Sequence, residues 1–190
     1  SFQLESCVHF APDVAVLLNL FPNHLDRHHT MDIYRAAKAQ LFSAMPKTGL
    51  ALLPDSLFEE IKQLSGSNAL LRSFDDAVES AHHYAIPAAN VNAYFALMKA
   101  CSVSHLRAVE HLKGFKGLPH RQELLAEING VKIVNDSKST CLAALKGALS
   151  NIEGPIRLIA GGKGKKEDYN SIKELLEKRE IHIYLIGQES

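Results

Sequence analysis

The segment 23–29 (NHLDRHH) gathers side chains that can bind metals, phosphates or protons, directly after an apolar run at 13–20. That run lacks the alternation of a half-exposed strand and predicts a strand buried on both faces of a parallel sheet. Open α/β sheets bind their ligands at the carboxyl ends of such strands. The segment is therefore a candidate site, although a solvated polar turn explains its histidines equally well.

Lys38 follows this segment on a predicted helix, 30–43, for which Thr30 is the expected N-cap. The alanines around Lys38 are strong helix formers. A lysine in such a helix is usually exposed to solvent and takes no part in a site. The alternative is that the helix runs back past segment 23–29 and brings the Lys38 amine close to a phosphate or a metal.

A second polar group, 135–140 (NDSKST), stands between a predicted strand, 131–134, and a predicted helix, 140–149. It surrounds a helix N-terminus, where free N–H groups and the helix dipole favour anions. Arg121 adds a planar fork that suits a phosphate or a carboxylate, and Asp136 can accept hydrogen bonds from ribose hydroxyl groups. Helix capping explains one of these residues, but it does not explain six polar residues in a row.

The third candidate is a turn rich in glycine and lysine, 161–166, after a predicted buried strand at 156–160. Glycines let the backbone approach a ligand closely, and lysines favour an anion. Taken alone, this turn is weak evidence for a ligand site. It is not a Walker A loop, because the pattern G-x-x-x-x-G-K-[ST] occurs nowhere in the sequence.

These candidates are positioned by strands and helices that alternate along the chain, which predicts βαβ units and a mainly parallel sheet. Two glycines and a proline in 113–119 mark the expected domain boundary. The predicted fold class is α/β: part of a parallel-sheet domain, 1–116, followed by part of a Rossmann-like domain, 117–190. Further strands are expected at 1–5, 49–53, 70–74 and 182–186, and further helices at 57–64, 87–101, 104–112 and 171–179.

Two short sequence patterns predict local structure within 117–190. The Asn129-Gly130 pair separates two apolar runs and predicts a β-hairpin with a type I′ turn, in which both central residues take a positive φ. Ser171 and Glu174 have the spacing of a capping box at a helix N-terminus.

The composition excludes several classes of protein. Lysine plus arginine equals aspartate plus glutamate, at 21 each, so no overall charge attracts nucleic acid or an anionic membrane. The three cysteines form no C-x-x-C pair, which disfavours a disulfide framework or a zinc ribbon. No apolar stretch approaches the length of a membrane span. We therefore expect a cytosolic protein that meets any phosphate ligand through local contacts.

Taken together, the motifs resemble those of the Mur ligases over nearly the whole chain. Segment 18–42 resembles the family pattern N-x-x-x-D-H-x-D followed by Y-x-x-A-K, and 1–5 resembles the strand that follows the family's metal-binding glutamate. Segment 115–123 resembles F-x-G-L-x-H-R-x-E, and 135–140 resembles N-D-S-K-x-T.

This resemblance implies an ATP-dependent ligase of peptidoglycan synthesis in the bacterial cytoplasm, with ATP and Mg²⁺ as cofactors. The N-D-S-K run favours the member that joins D-glutamate to UDP-N-acetylmuramoyl-L-alanine through an acyl phosphate. The central ATP-binding domain would then occupy 1–116 and the acceptor-binding domain 117–190, in a protein that is monomeric at full length. Three alternatives stay open: another Mur ligase, a folylpolyglutamate synthase, or a non-catalytic nucleotide-binding module.

The resemblance also implies roles for individual residues. His24 becomes a Mg²⁺ ligand, and Lys38 becomes a carbamylated lysine whose new carboxylate helps to hold the second metal. The first asparagine of the adenine-binding pattern falls on Ala89, with Asn90 next to it as a substitute. The implied nucleotide-binding residues are Asn92, Arg121, Asp136 and Lys138, and the implied substrate-binding residues are Ser137, Thr140 and Lys165.

The N-terminal domain, the phosphate loop and the metal-binding glutamate of the family pattern are not found in these 190 residues. We therefore expect the chain by itself to have no ligase activity.

Overall fold

The computed structural model describes residues 1–7, 9–75, 86–162 and 168–187. Its contacts divide the chain into two compact units, Ser1–Lys116 and Gly117–Ser190, and each unit is described by itself. Lys165, for which a substrate role was predicted, lies outside the described residues.

The first unit contains a three-stranded parallel sheet in the order β1-β2-β3, formed by Val14–Val16, Leu50–Leu53 and Leu70–Ser73. Parallel neighbours need long crossover connections. Helix α3 (Met31–Ser43) lies in the first crossover and α4 (Phe58–Ser65) in the second. The predicted α/β fold with a mainly parallel sheet is therefore confirmed.

The sheet of the first unit has apolar side chains on both faces, as the continuous apolar runs predict. On one face Leu53 packs with residues of α3 and α4, including Phe42 and Ile61, all of them fully buried. On the other face Leu52 packs with residues of helix α5 (Ala88–Ala100). Helix α6 (His105–Lys113) then packs against α5 through a separate small cluster.

Residues 1–5 do not form the predicted strand; Phe2–Glu5 is a short helix, α1. The prediction was wrong because the alternation of apolar and polar residues was read over too few positions to distinguish the two periods. In a helix, residues three apart lie on the same face, so Phe2 and Glu5 point to the same side. Both of them contact residues 24–28, which include a second short helix, α2 (Leu25–His28).

The second unit begins with an antiparallel hairpin, in which β4 (Glu123–Ile128) pairs with β5 (Val131–Asn135). Asn129 and Gly130 have φ angles of 50° and 79°, so the predicted positive-φ turn is confirmed. Helix α7 (Leu142–Asn151) follows, and β6 (Ile156–Gly162) pairs in parallel with β7 (Ile181–Gly187).

Two further predictions need correction. Strand β1 is shorter than the predicted 13–20, because beyond Val16 only the Leu17 N–H still donates to β2, at the carbonyl of Leu52. The capping box at Ser171 is wrong. Asp168 caps a 3₁₀ turn, Tyr169–Ile172, by accepting from the Asn170 N–H, and helix α8 (Lys173–Glu177) starts only after that turn.

Candidate functional site

Segment 23–29 begins seven residues after the end of β1 and contains the short helix α2. His24 has a left-handed backbone with φ 56°, and its N–H donates to the Asn23 side-chain oxygen at 2.9 Å. The His24 carbonyl accepts from the N–H groups of Arg27 and His28. These bonds hold the half-buried His24 side chain edge-on to the Phe2 ring, with 4.9 Å between the ring centroids.

His28 is the buried centre of this segment, with 1% of its surface exposed. Its ring stacks on Phe2 at 5.3 Å and contacts Tyr34 at 5.2 Å between centroids. Its Nε2 atom lies 2.9 Å from the Ser1 hydroxyl. Its Nδ1 atom lies 3.1 Å from Glu5 Oε1, but the two are not aligned as a hydrogen bond, so this contact is electrostatic.

Glu5 is a candidate functional residue that the sequence motifs did not reveal. Its second carboxylate oxygen, Oε2, accepts from the Arg27 guanidinium at 3.1 Å. Arg27 also lies over the Phe2 ring, 4.5 Å from its centroid. A helical reading of 1–5 would have found Glu5, because it puts the carboxylate on the same side as Phe2, whereas a strand puts the two on opposite faces.

Lys38 extends this cluster along α3. Its ammonium group lies 5.6 Å from the centroid of the Tyr34 ring, which in turn contacts His28. Burial lowers the pKa of Lys38, because desolvation disfavours the charged ammonium. We name the residues Ser1, Phe2, Glu5, His24, Arg27, His28, Tyr34 and Lys38 the histidine cluster.

Asn92 lies elsewhere in the first unit, on α5, and is buried. Its side-chain N–H donates to the Asp75 carbonyl at 2.7 Å, just after β3, while its side-chain oxygen has no hydrogen-bond partner. An unpaired buried amide oxygen is costly, which is compatible with a ligand there. Neither Ala89 nor Asn90 is buried, and the adenine contact of Asn92 stays a prediction.

In the second unit, the polar run 135–140 is fixed to the residues before β4 by several hydrogen bonds. Asp136 accepts from the Gln122 N–H at 3.1 Å, and the Asn135 amide lies 2.8 Å from His120 Nδ1. The His120 carbonyl accepts from the Lys138 N–H, and Asn135 Oδ1 accepts from the Ser137 N–H. The structure therefore brings Arg121 and Asp136 to the same end of the hairpin. We name 120–123 together with 135–140 the hairpin clamp.

Most side chains of the hairpin clamp that could meet a ligand face solvent. The side chains of Arg121, Lys138 and Thr140 are exposed, and Asp136 is half-buried. The Ser139 hydroxyl is buried without a hydrogen-bond partner. His120 and Gln122, which flank Arg121, have φ angles of 63° and 47°. Residues other than glycine seldom adopt this region, and such strain is concentrated at functional sites.

Across the parts of the chain that the structure describes, no three histidine, cysteine, aspartate or glutamate side chains converge to hold a metal. A lysine is not among those residue types, although a carbamylated lysine supplies a carboxylate. In the same parts of the chain, no helix is long and apolar enough to cross a membrane.

A parallel sheet with helices in its crossovers, whose first strand is followed along the chain by a cluster of polar residues, defines an open-sheet α/β protein. Such proteins bind ligands at the carboxyl ends of their strands. A family model, the Mur ligase middle domain, matches residues 2–105. The chain belongs to the Mur ligase family, and the resemblance inferred from its motifs is confirmed.

Two curated relatives carry the same name. The chain is 37% identical over 98% of its length to UDP-N-acetylmuramoylalanine–D-glutamate ligase of Desulfovibrio desulfuricans, and covers 44% of that protein. It is 31% identical over its whole length to the enzyme of the same name from Nitrosomonas europaea, of which it covers 46%. The chain thus spans less than half the length of these relatives.

Solved structures share the fold. MurF from Acinetobacter baumannii superposes with a TM-score of 0.68 at 19% identity, over 93% of this chain and 47% of that one. MurF from Thermotoga maritima, determined in complex with ADP, superposes with a TM-score of 0.66 at 18% identity, over 98% of this chain and 55% of that one. At these identities the likeness supports the fold alone.

Proposed function

We propose that the protein containing this chain is the ATP-dependent ligase that joins D-glutamate to UDP-N-acetylmuramoyl-L-alanine in bacterial peptidoglycan synthesis, in the cytoplasm. The similarity to D-glutamate ligases along the whole chain supports this proposal. The structural observation that carries it is the half-buried Lys38, whose pKa is lowered, in a cluster with His24 and Glu5. In this proposal, unit 1–116 binds ATP and unit 117–190 binds the acceptor.

The proposed reaction has two steps. The terminal phosphoryl group of ATP is transferred to the carboxylate of UDP-N-acetylmuramoyl-L-alanine, which gives an acyl phosphate and ADP. The amine of D-glutamate then attacks the acyl carbon, an amide bond forms, and inorganic phosphate leaves. Both steps gather negative charge on phosphoryl oxygens, so positively charged groups placed beside them lower the barrier.

The chemistry of the histidine cluster fits magnesium. Magnesium prefers oxygen ligands, and after carbamylation Lys38 offers a carboxylate close to the rings of the histidine cluster. A lowered lysine pKa favours this modification, because the neutral amine is the form that reacts with CO₂. We propose that His24 and carbamylated Lys38 hold the metal. When bound, Mg²⁺ offsets charge on the transferred phosphoryl group.

The hairpin clamp supplies the other groups in this proposal. Arg121 binds a phosphate as a planar fork, Asp136 accepts from ribose hydroxyl groups, and Lys138 adds positive charge beside the nucleotide. Asn92 of the first unit binds adenine. We assign the D-glutamate carboxylates to Ser137, Thr140 and Lys165.

The acceptor is tested with the full-length protein. Release of phosphate from ATP is measured with UDP-N-acetylmuramoyl-L-alanine and one candidate amine at a time: D-glutamate, meso-diaminopimelate or L-lysine; glutamyl-folate with glutamate is tested separately. We expect turnover only when D-glutamate is the amine. Turnover with one of the others identifies a different ligase, and no turnover with any of them supports a non-catalytic module.

The role of Lys38 is tested by Lys38→Ala in the same protein. We expect turnover to fall by at least about a thousandfold, because preorganised charged groups commonly supply the greatest part of transition-state stabilisation. Acetate or formate should restore part of the activity by supplying the missing carboxylate. Lys99→Ala, which removes an exposed lysine of α5, is the control. Unchanged turnover in Lys38→Ala would refute the carbamate role.

A further inference from the structure

We propose that Asp75 is a positioning residue: it fixes the side chain of Asn92, so that Asn92 presents an acceptor, and not a donor, to the base of the nucleotide. Asn92 is buried on α5, and its side-chain oxygen has no hydrogen-bond partner among the described residues. The inference rests on the proposed function, in which Asn92 binds adenine. It adds Asp75, to which neither the sequence motifs nor the proposed reaction gives a role.

The contact with Asp75 decides which end of the Asn92 amide is free. The Asn92 side-chain nitrogen, Nδ2, donates to the backbone carbonyl of Asp75 at 2.7 Å. A carbonyl oxygen only accepts hydrogen bonds, so the amide nitrogen must face it and the amide oxygen must point away from it. A buried acceptor without a partner is costly, and a ligand that donates a hydrogen bond removes this cost. Adenine carries such a donor, its 6-amino group, whereas hypoxanthine carries an oxygen at that position.

Two hydrogen bonds and one packing contact hold the backbone of Asp75. Its carboxylate oxygen Oδ2 accepts from the Asp55 N–H at 2.9 Å, and its own N–H donates to the Ser73 hydroxyl oxygen at 3.0 Å. The preceding residue, Phe74, is fully buried in one apolar cluster with Ala93 of α5. Packing therefore brings the end of β3 to α5, and the two hydrogen bonds set the direction of the carbonyl that accepts from the amide.

The competing explanation is that Asp75 only stabilises the turn after β3. Asp75→Ala removes the acceptor for the Asp55 N–H, whereas Asp75→Asn keeps a side-chain oxygen there. Asp55→Pro removes the donor and leaves the Asp75 side chain in place. Pro54 has ψ 147°, which suits a residue before proline, and Asp55 is the first residue of a 3₁₀ turn, Asp55–Leu57, where proline fits. Asp55→Ala removes only an exposed carboxylate and keeps the N–H, so it is the matched control.

The experiment measures the binding of ADP and of inosine diphosphate (IDP) to the full-length protein by isothermal titration calorimetry. We expect the unaltered protein to bind ADP about tenfold or more tightly than IDP, because IDP leaves the Asn92 oxygen facing another oxygen. In Asp75→Ala and Asp55→Pro the amide can rotate by half a turn, so the preference should fall to about threefold or less. Asp75→Asn and Asp55→Ala should keep the preference within about twofold of that of the unaltered protein. A structural role alone would lower the melting temperature of Asp75→Ala and leave the preference unchanged.

Asn92→Leu is titrated in parallel so that two failures can be told apart. Loss of the preference in Asn92→Leu, with an unchanged preference in Asp75→Ala and Asp55→Pro, overturns the positioning role and leaves the proposed adenine contact intact. An unchanged preference in Asn92→Leu, or equal binding of the two nucleotides by the unaltered protein, overturns both. The measurement uses no amine, so it stands even where D-glutamate proves not to be the acceptor. If Asp55→Pro does not fold, Asp75→Ala, at an exposed position, decides alone.

Discussion

In unit 1–116 the candidate residues are held by packed rings and charges. Phe2, His28 and Tyr34 contact one another in series, and Glu5, Arg27 and Lys38 attach to that series. In unit 117–190 they are held by hydrogen bonds that mostly involve the backbone, such as Gln122 N–H to Asp136. Packed rings therefore fix the candidate side chains of the first unit. In the hairpin clamp, Asn135 and Asp136 fix the backbone through hydrogen bonds, while the side chains of Arg121 and Lys138 stay exposed to solvent.

The two units also differ in how completely their apolar side chains are buried. The first unit has three clusters of buried apolar residues around its sheet. In the second, strands β4, β5, β6 and β7 leave large apolar side chains in solvent, among them Val131 and Ile159 at 65% and 70% exposure. Mutations at such exposed positions of this chain should therefore cost little stability, whereas mutations of the buried residues around the first sheet should cost more.

The largest difference between the units is expected in the carbamylation of two lysines, Lys38 in the first unit and the exposed Lys138 in the second. Burial lowers the pKa of Lys38, so its neutral amine is populated at lower pH than that of a fully exposed lysine. Carbamylation of Lys38 should rise with pH, because the neutral amine is the form that reacts with CO₂. Trapping with triethyloxonium under ¹³CO₂, followed by mass spectrometry, should find the label at Lys38 and only traces at Lys138. Equal labelling at both would show that the cluster does not select its lysine.

The largest effect on stability is expected from a core substitution in the first unit. Phe42→Ala removes a fully buried ring at the contact between α3 and the sheet and should cost about 3–5 kcal/mol. Ile133→Ala in β5, where 44% of the side chain is exposed, should cost less than about 1 kcal/mol. Urea unfolding of the 190-residue chain measures both losses. Similar losses of stability in the two variants would mean that Ile133 is buried, and they would contradict the proposed difference between the two cores.

The order and type of most elements could be predicted from the sequence, because strongly periodic or wholly apolar runs allow few alternatives. Examples are α3, with Thr30 accepting from the Ile33 N–H as its cap, and the turn at Asn129-Gly130. Short or weakly periodic segments were predicted poorly. Ser171 had the spacing of a capping box, but the Asp168 side chain accepts the N–H bond there and shifts the helix start.

The sequence allows single site residues to be proposed, but it does not reveal which residues contact them in the fold. His24 and Lys38 stand out as polar residues near a buried strand. Glu5 and His28 meet only through the fold, at a distance of 22 residues or more from the partners that fix them: Glu5 to Arg27, and Ser1 to His28. No local pattern encodes such pairs, and the mistaken strand at 1–5 concealed this one.

A smaller effect is expected at the hairpin clamp. Asn135→Ala removes the amide that contacts His120 Nδ1 and the oxygen that accepts from Ser137. Each such bond contributes about 1 kcal/mol, so the loss should be about 1–2 kcal/mol and confined to this loop. Hydrogen exchange at the Ser137 amide should accelerate while α3 stays protected. Asn68→Ala, at an exposed position in the first unit, is the control. If exchange also accelerates in α3, the two regions are not independent.

The smallest effect on the free energy of unfolding is expected at two helix N-caps, one in each unit. Thr30 caps α3 through its hydroxyl at 3.2 Å from the Ile33 nitrogen, so Thr30→Ala should cost about 1 kcal/mol. Cys141 occupies the N-cap of α7 with extended backbone and no side-chain cap bond. Cys141→Ser supplies a hydroxyl there and should add about 0.5 kcal/mol. Urea unfolding measures the expected loss of stability in Thr30→Ala and the expected gain in Cys141→Ser. Because α3 carries Lys38, Thr30→Ala should also reduce ¹³CO₂ labelling of Lys38, whereas Cys141→Ser should leave it unchanged; a reversed pattern would contradict the assignment of Lys38 to the histidine cluster.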